Sequence, residues 1–349
     1  MSSLIRHRSV GDTGLKLSEL GLGTAPLGNL YRAMSGVESE RTVSSAVDAG
    51  LTYLDTAPYY GLGLSERRLG DGVRGHSGTV VSTKVGRLLR PLPDASHAVD
   101  RDGFRAPLPF TALYDYSYDG VMRSWEASLQ RLGLARVDIL YVHDIGGLTH
   151  GEDGAARFRE LTEGGGLRAL EELRAGHVIS AYGVGVNEWE VCLQVMEHAK
   201  LDLILLAGRY TLLDHRALDA LFPACARQGI AVVVGGVYNS GILATGTRSD
   251  AVPYYDYAPA SPSVISRVRE LEEVCDRHGV ALPAAALQFS LANPVVASAL
   301  LGLGSTQQVA TAVQCYRAAI PQAFWEELMS RRLVPSHAPV PVHVLARPA

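Results

Sequence analysis

Short apolar runs punctuate the chain at regular intervals. They are ELGLG (19–23), LTYLD (51–55), TVVST (79–83), VDILYVHD (137–144), VISAYGVG (178–185), LDLILLAG (201–208), IAVVVGG (230–236) and VASALLG (296–302). Within each run the apolar residues are nearly continuous rather than alternating. That is the pattern of a strand buried on both faces of a parallel sheet. Between the runs the period changes to that of a helix. YDGVMRSWEASLQRLGL (118–134) puts Val121, Trp125, Leu129 and Leu132 on one face, and Gly133 supplies the stop. Segments 188–200 and 215–229 read the same way. Segment 261–279 has Pro262 at its start and Gly279 at its end, the usual asymmetry of a helix.

Eight strands alternating with helices predict an α/β fold with a parallel sheet. Eight units in a chain of this length favour a closed (β/α)8 TIM barrel. A doubly wound open sheet would need a glycine-rich turn after an early strand, and GLGTAPLG (21–28) matches G-x-G-x-x-G poorly. Ahead of the first strand, HRSVGDTGLKLS (7–18) predicts a β-hairpin outside the barrel, plugging its N-terminal face. Segments 85–117 and 145–167 are long loops on the face where barrel enzymes work. Residues 1–349 are expected to form a single barrel domain.

Composition narrows the functional classes. The net charge of −4 suggests neither nucleic acid nor an anionic membrane as a partner. No apolar run is long enough to span a bilayer, and the first ten residues lack the apolar core of a signal peptide. Cys192, Cys225, Cys275 and Cys315 are far apart, as expected for reduced thiols of a cytoplasmic protein. His143–Asp144 lacks further ligands at metal-binding spacing, so no metal is expected.

Four polar residues sit where strands should end. Asp55 closes the second, Lys84 follows the third, His143 ends the fourth, and Tyr60 lies just beyond Asp55. Singly, each has an ordinary reading: a turn cap, a solvated lysine, a core histidine, a surface tyrosine. In a barrel, however, neighbouring strand ends open at one mouth. A buried acid–lysine pair is costly unless it is used. A tyrosine ionises near pH 10, too high for a neutral-pH base, but a nearby ammonium favours the phenolate. Asp55 would hold Lys84, Lys84 would tune Tyr60, and His143 would polarise a substrate oxygen. That chemistry suits proton transfer coupled to hydride transfer.

LDTAPYYGLGLSERRLG (54–70), with STK (82–84) and YVHD (141–144), resembles the signature segments of the aldo-keto reductase superfamily. The resemblance implies a barrel that binds NAD or NADP in extended form, with Asp55, Tyr60, Lys84 and His143 as its catalytic tetrad. Tyr60 directly precedes a glycine, as the family's acid/base does, so Tyr59 is left to packing. Segments 83–91, 114–134, 205–215, 235–246 and 286–298 resemble the aldose 1-dehydrogenase branch, which includes L-fucose (D-threo-aldose) 1-dehydrogenases and pyridoxal 4-dehydrogenases. The expected reaction is transfer of hydride from the C1 hemiacetal of an aldose to the nicotinamide, giving a lactone. Pyridoxal 4-dehydrogenase activity, reduction of an aldehyde or ketone, and a cofactor-binding regulatory subunit are the alternatives.

For the cofactor the resemblance points to Asn187 after the fifth strand and to Gly235, Gly236, Asn239, Ser240 and Gly241 after the seventh. Near the C-terminus it points to Gly302, Ser305 and Gln308. Ser305-x-x-Gln308 also reads as a capping box at a helix N-terminus, which suits phosphate or ribose. No basic residue stands in 302–309 to pair a 2′-phosphate, which favours NAD. Phe104, Phe110, Tyr114, Tyr116, Trp189 and Arg209 either face a small-molecule substrate or pack the loops. The oligomeric state is expected to be monomer or homodimer.

Overall fold

The computed structural model describes residues 5–94 and 99–341. Eight parallel strands close into a barrel in sequence order. They are β1 (Leu20–Gly23), β2 (Tyr53–Asp55), β3 (Val80–Val85), β4 (Ile139–His143), β5 (Ala181–Val186), β6 (Leu203–Ala207), β7 (Ala231–Gly235) and β8 (Val296–Gly302). All eight apolar runs became barrel strands. The third runs two residues further than its apolar pattern, so Lys84 lies within β3 rather than after it.

The nearly continuous apolar runs are explained by two cores that share the strands. Val81, Leu140, Val142, Val184, Ile204, Leu206, Val232 and Val234 point outward and pack under the helices. Tyr53, Ile139, Tyr141, Ala181, Leu203, Leu205, Ala231, Val233 and Leu300 point inward and fill the barrel. Successive side chains in a strand face opposite ways, so both sets need apolar residues. Burying one such Leu, Ile or Val contributes roughly 1.5–3 kcal/mol.

The N-terminal hairpin pairs His7–Ser9 with Lys16–Ser18 in antiparallel register. Val10 and Leu17 join the inner core, so the hairpin closes the N-terminal end. Chemistry is thereby confined to the opposite mouth.

Two helices start later than their apolar pattern suggests. The segment 215–229 is helical only over Leu221–Gln228. That start puts Pro223 in the first turn, where its missing N–H breaks no helical bond. The segment 188–200 is helical over Trp189–Met196, with Glu188 extended ahead of it. Tyr118–Leu132 and Pro262–His278 keep their expected ends, with Ser117 and Ser261 as N-caps and left-handed Gly133 and Gly279 as stops.

The long connections carry structure of their own. In 85–117, Arg87–Pro91 pairs antiparallel with Phe110–Tyr114. In 145–167, short helical turns lead to the helix Gly154–Thr162. A further small hairpin, Tyr254–Tyr255 with Ala258–Pro259, follows β7. All four cysteines are buried and free, and among the described residues no helix is long and apolar enough to cross a membrane.

Candidate active site

The site forms where β2, β3 and β4 end side by side. Strand register places Asp55 beside Ser82 and Lys84 beside Tyr141. Asp55, Lys84 and His143 alternate into the barrel with Tyr53, Ser82 and Tyr141 below them, and all are buried. Lys84 Nζ donates to Asp55 Oδ2 at 2.6 Å and to the Thr56 carbonyl at 2.9 Å. The same Nζ lies 4.8 Å from the centre of the Tyr60 ring. The His143 ring meets Tyr60 edge-on, with centroids 6.0 Å apart. The four residues expected to converge are therefore at one mouth.

The electrostatics give each group a state. Burial works against the Lys84 charge, but Asp55 and Tyr60 outweigh it and the lysine pKa rises. Lys84 is an ammonium at neutral pH. Burial also pushes the Asp55 carboxyl up, against the pull of Lys84 and the Ser82 hydroxyl. His143 is held well below its ordinary value by burial, then by the charges of Arg87 and Lys84, so its imidazole is neutral. Tyr60 departs from the sequence expectation. Lys84 does pull its pKa down, but burial pushes it up by more, so the net shift is upward. Tyr60 is a phenol at neutral pH in this state of the protein.

A hydrogen-bonded relay beneath the site was not anticipated from the sequence. Ser82 Oγ gives its one proton to Asp55 Oδ1 at 2.7 Å. Tyr53 must therefore donate to Ser82, at 3.1 Å, and Tyr141 to Tyr53, at 3.0 Å. Every hydroxyl in the chain points its proton toward Asp55. The signal was available, since Tyr53, Ser82 and Tyr141 are inward positions by strand parity alone.

The backbone around Tyr60 is fixed by a close approach of two loops. A Cβ on Gly28 would lie 2.6 Å from the Tyr60 carbonyl carbon and 2.7 Å from the Gly61 nitrogen. Gly61 has a φ of 62°, and a Cβ there would meet the Gly28 carbonyl oxygen at 2.4 Å. Gly28→Ala therefore displaces Tyr60 without touching it chemically. We expect kcat/KM to fall about 10- to 100-fold, since misplacement by an ångström has that scale of effect. Steady-state kinetics alongside a thermal melt checks this. An unchanged kcat/KM in a folded variant would show that the contact does not position Tyr60.

Several residues do other work than the sequence suggested. Tyr59 packs edge-on against Phe104, but its ring also faces the Arg87 guanidinium at 4.2 Å. Tyr116 is buried and donates to the His143 carbonyl at 2.7 Å. Phe104 and Tyr116 thus hold the loop and the His143 segment, while Phe110 and Tyr114 are half-buried on the hairpin. Arg209 is occupied in a bidentate pair with Asp256, at 2.9 and 3.1 Å, and in a 2.7 Å bond to the Asn187 carbonyl. It ties the small hairpin over the mouth. Ser65 and Glu66 lie in the helix Leu64–Val73 and are buried. Glu66 accepts from Thr83 Oγ1 at 2.7 Å and pairs with Arg131.

The other half of the mouth has room. Gly185, Ala207 and Gly235 are the inward residues at the ends of β5, β6 and β7, where β2–β4 carry the polar groups. After β7 the chain turns through left-handed Gly236, Asn239, Ser240 and Gly241. The Asn239 side-chain oxygen is buried without a hydrogen-bond partner among the described residues. A glycine-rich turn with consecutive left-handed residues and an orphaned acceptor fits a bound polar cofactor. Ser305 accepts from the Gln308 N–H at 3.2 Å, but Gln308 reaches back to the Gly304 N–H at 2.6 Å rather than to Ser305. The capping box thus closes one residue further out. Arg32, from the connection after β1, donates to the Gly304 carbonyl at 3.0 Å, so a basic residue missing from the local sequence arrives from elsewhere.

Residues 19–331 match the sequence model of the aldo/keto reductase family. The chain is 44% identical to a pyridoxal 4-dehydrogenase from Microbacterium luteolum over 94% of this chain and 97% of that one. It is 38% identical to a D-threo-aldose 1-dehydrogenase from a Pseudomonas species, over 93% and 96% of the two chains. Among solved structures, the holo form of an aldo-keto reductase from Bacillus halodurans superposes with a TM-score of 0.72 at 26% identity, covering 97% of this chain and 99% of the other.

Proposed function

The chain belongs to the aldo/keto reductase family and is an NAD(P)-dependent oxidoreductase; from that premise we propose that it oxidises a cyclic hemiacetal to a lactone. The observation that carries this reading is the buried Lys84–Asp55 pair set behind Tyr60 and beside a neutral His143. The aldose ring is the first substrate class. Pyridoxal is the second, favoured by the 44% identity to a protein of that name. The two share their chemistry, because an aldose closes on its own hydroxyl and pyridoxal closes on its neighbouring hydroxymethyl group.

In this reading a nicotinamide held at this mouth would supply the hydride acceptor for oxidation of the hemiacetal carbon, and the hydride donor for reduction. Tyr60 takes the proton of the hemiacetal hydroxyl, or gives it back. Lys84 stabilises the phenolate through its charge. Asp55, fed by the Tyr141–Tyr53–Ser82 relay, keeps Lys84 charged and pointed at the ring. His143, being neutral, donates a hydrogen bond to the oxygen that becomes the lactone carbonyl. Gly235, Gly236, Asn239, Ser240 and Gly241 would hold the pyrophosphate end of the cofactor, and Asn187 the nicotinamide end. Gly302, Ser305 and Gln308 would hold the adenosine end. NAD is favoured over NADP because Arg32, the basic residue beside Gly304, also faces Glu38 at 3.7 Å.

L-Fucose, D-arabinose, L-galactose and pyridoxal are to be assayed with NAD+ and NADP+, following the reduced cofactor. Oxidation of at least one is expected with kcat/KM of about 10⁴ M⁻¹s⁻¹ or more. Oxidation of none, with vigorous NADPH-dependent reduction of simple aldehydes, would make the protein a reductase instead.

A further inference from the structure

Beside the tetrad lies a buried charge pair that none of the steps above uses. Asp144 directly follows His143 and has a φ of 49°, in the left-handed region. Its N–H donates to the Gly185 carbonyl at 2.9 Å. Asp is one of the few residues other than glycine that visit this region readily. The turn leaves Asp144 Oδ2 3.4 Å from His143 Nε2. The same carboxylate pairs with Arg87, the first residue of the hairpin that follows β3.

The two partners are unequally enclosed. The Arg87 side chain is 5% exposed and Asp144 is 21% exposed. Arg87 lies between aromatic rings, 4.2 Å from the centre of Tyr59 and 5.3 Å from that of Tyr114, with its Nε buried and without a partner among the described residues. The guanidinium is therefore walled in, and the carboxylate, beside His143, is the more open of the two. Asp144 Oδ1 has no hydrogen bond among the described residues. The Asp144 charge is also felt at Tyr60. The site thus presents a proton carrier, a neutral donor and, next to that donor, an open carboxylate acceptor. His143 Nε2 and the Asp144 carboxylate are 3.4 Å apart through Oδ2, close enough for one ligand with oxygens on adjacent carbons to meet both groups.

We propose that Asp144, oriented by Arg87, is a specificity-determining residue that accepts a hydrogen bond from a hydroxyl on the carbon next to the reacting one. The site then selects 2-hydroxy carbonyl compounds and their hemiacetals, aldoses among them, over carbonyl compounds lacking that hydroxyl, pyridoxal among them. Arg87 fixes the carboxylate and neutralises it, which keeps an unpaired anion from weakening the phenolate at Tyr60. An acceptor aimed at a substrate hydroxyl discriminates because, without that hydroxyl, its desolvation is uncompensated. The proposal rests on Tyr60 and His143 holding the reacting oxygen, and not on the substrate being a hemiacetal.

The test compares reduction of 2-hydroxypropanal and propanal, counted per free aldehyde, by the wild-type protein and by Asp144→Ala. The wild type is expected to favour the hydroxyaldehyde about 10- to 100-fold in kcat/KM, and Asp144→Ala to bring the ratio to within about threefold of one. A merely structural role for Asp144 would lower both rates and leave the ratio unchanged. If circular dichroism shows Asp144→Ala unfolded, the isosteric Asp144→Asn decides, and its ratio must fall by at least about threefold. A wild type without preference, or a preference that survives in the folded variant, overturns the proposal. Reduction of neither aldehyde overturns it together with the roles of Tyr60 and His143. Failure of the hemiacetal reading alone shows differently, as no oxidation of sugars or pyridoxal while the hydroxyaldehyde preference persists.

Discussion

Tyr60→Phe lowers turnover by about 10²–10⁴-fold, the usual contribution of a positioned acid–base group. The ring keeps its edge-on contact with His143 and its place above Lys84, so binding of the cofactor changes little. Residual activity above about a tenth of normal would remove Tyr60 from the acid–base role. The pH dependence sharpens the prediction. Burial raises the Tyr60 pKa in spite of Lys84, so the phenolate is the minor form at neutral pH. Oxidation needs that form, and its kcat/KM therefore climbs by about one log unit per pH unit between pH 7 and 9. Reduction needs the phenol and stays level over the same range. His143 adds no acid limb down to pH 6, because its value is already pushed well below the ordinary one. In Tyr60→Phe the climb disappears.

Lys84→Met is expected to cost both activity and stability, for separable reasons. Removing one partner of a buried ion pair is worth about 3–5 kcal/mol of destabilisation, because the other charge is left uncompensated. Asp55 is that charge, and it is almost wholly enclosed. The double variant Asp55→Asn/Lys84→Met removes both charges and is expected to recover at least half of the lost stability. Turnover stays lost, because nothing then favours the phenolate of Tyr60. Denaturant titration of the wild type, Asp55→Asn, Lys84→Met and the double variant, with kcat measured on each, completes the cycle. Recovery of turnover in the double variant would show that Lys84 holds the fold rather than tuning the tyrosine.

The barrel was legible because its signal is redundant. Eight runs buried on both faces, each near the length of a short strand, leave few alternatives once helical segments separate them. The ends of elements were less legible. Lys84 belongs to β3 because its backbone pairs with β4, and pairing is not a property of the local sequence. Pro223 moved the start of a helix, which a purely apolar count overlooks.

The candidate site divides the same way. Asp55, Lys84 and His143 could be brought together from the sequence because strand ends in a barrel share a mouth. The Tyr141–Tyr53–Ser82 relay follows from strand parity, applied one layer further down than the sequence reading took it. The Arg87–Asp144 pair and the reach of Arg32 to Gly304 were not legible. Each joins segments far apart in sequence, and charged residues on connecting loops are ordinarily solvated. The direction of the Tyr60 shift was misjudged for a related reason. The effect of Lys84 is visible in a motif, whereas the opposing effect of burial depends on the whole mouth.

Hydride transfer from a hemiacetal carbon with release of a lactone is followed with L-fucose and pyridoxal carrying deuterium on that carbon, incubated with the wild-type protein and oxidised cofactor. Mass spectrometry then follows both products. Deuterium is expected in the reduced cofactor, with a lactone as the first-formed organic product, from at least one of the two. A reduced cofactor without deuterium, or an open-chain acid formed without a lactone before it, would overturn this chemistry.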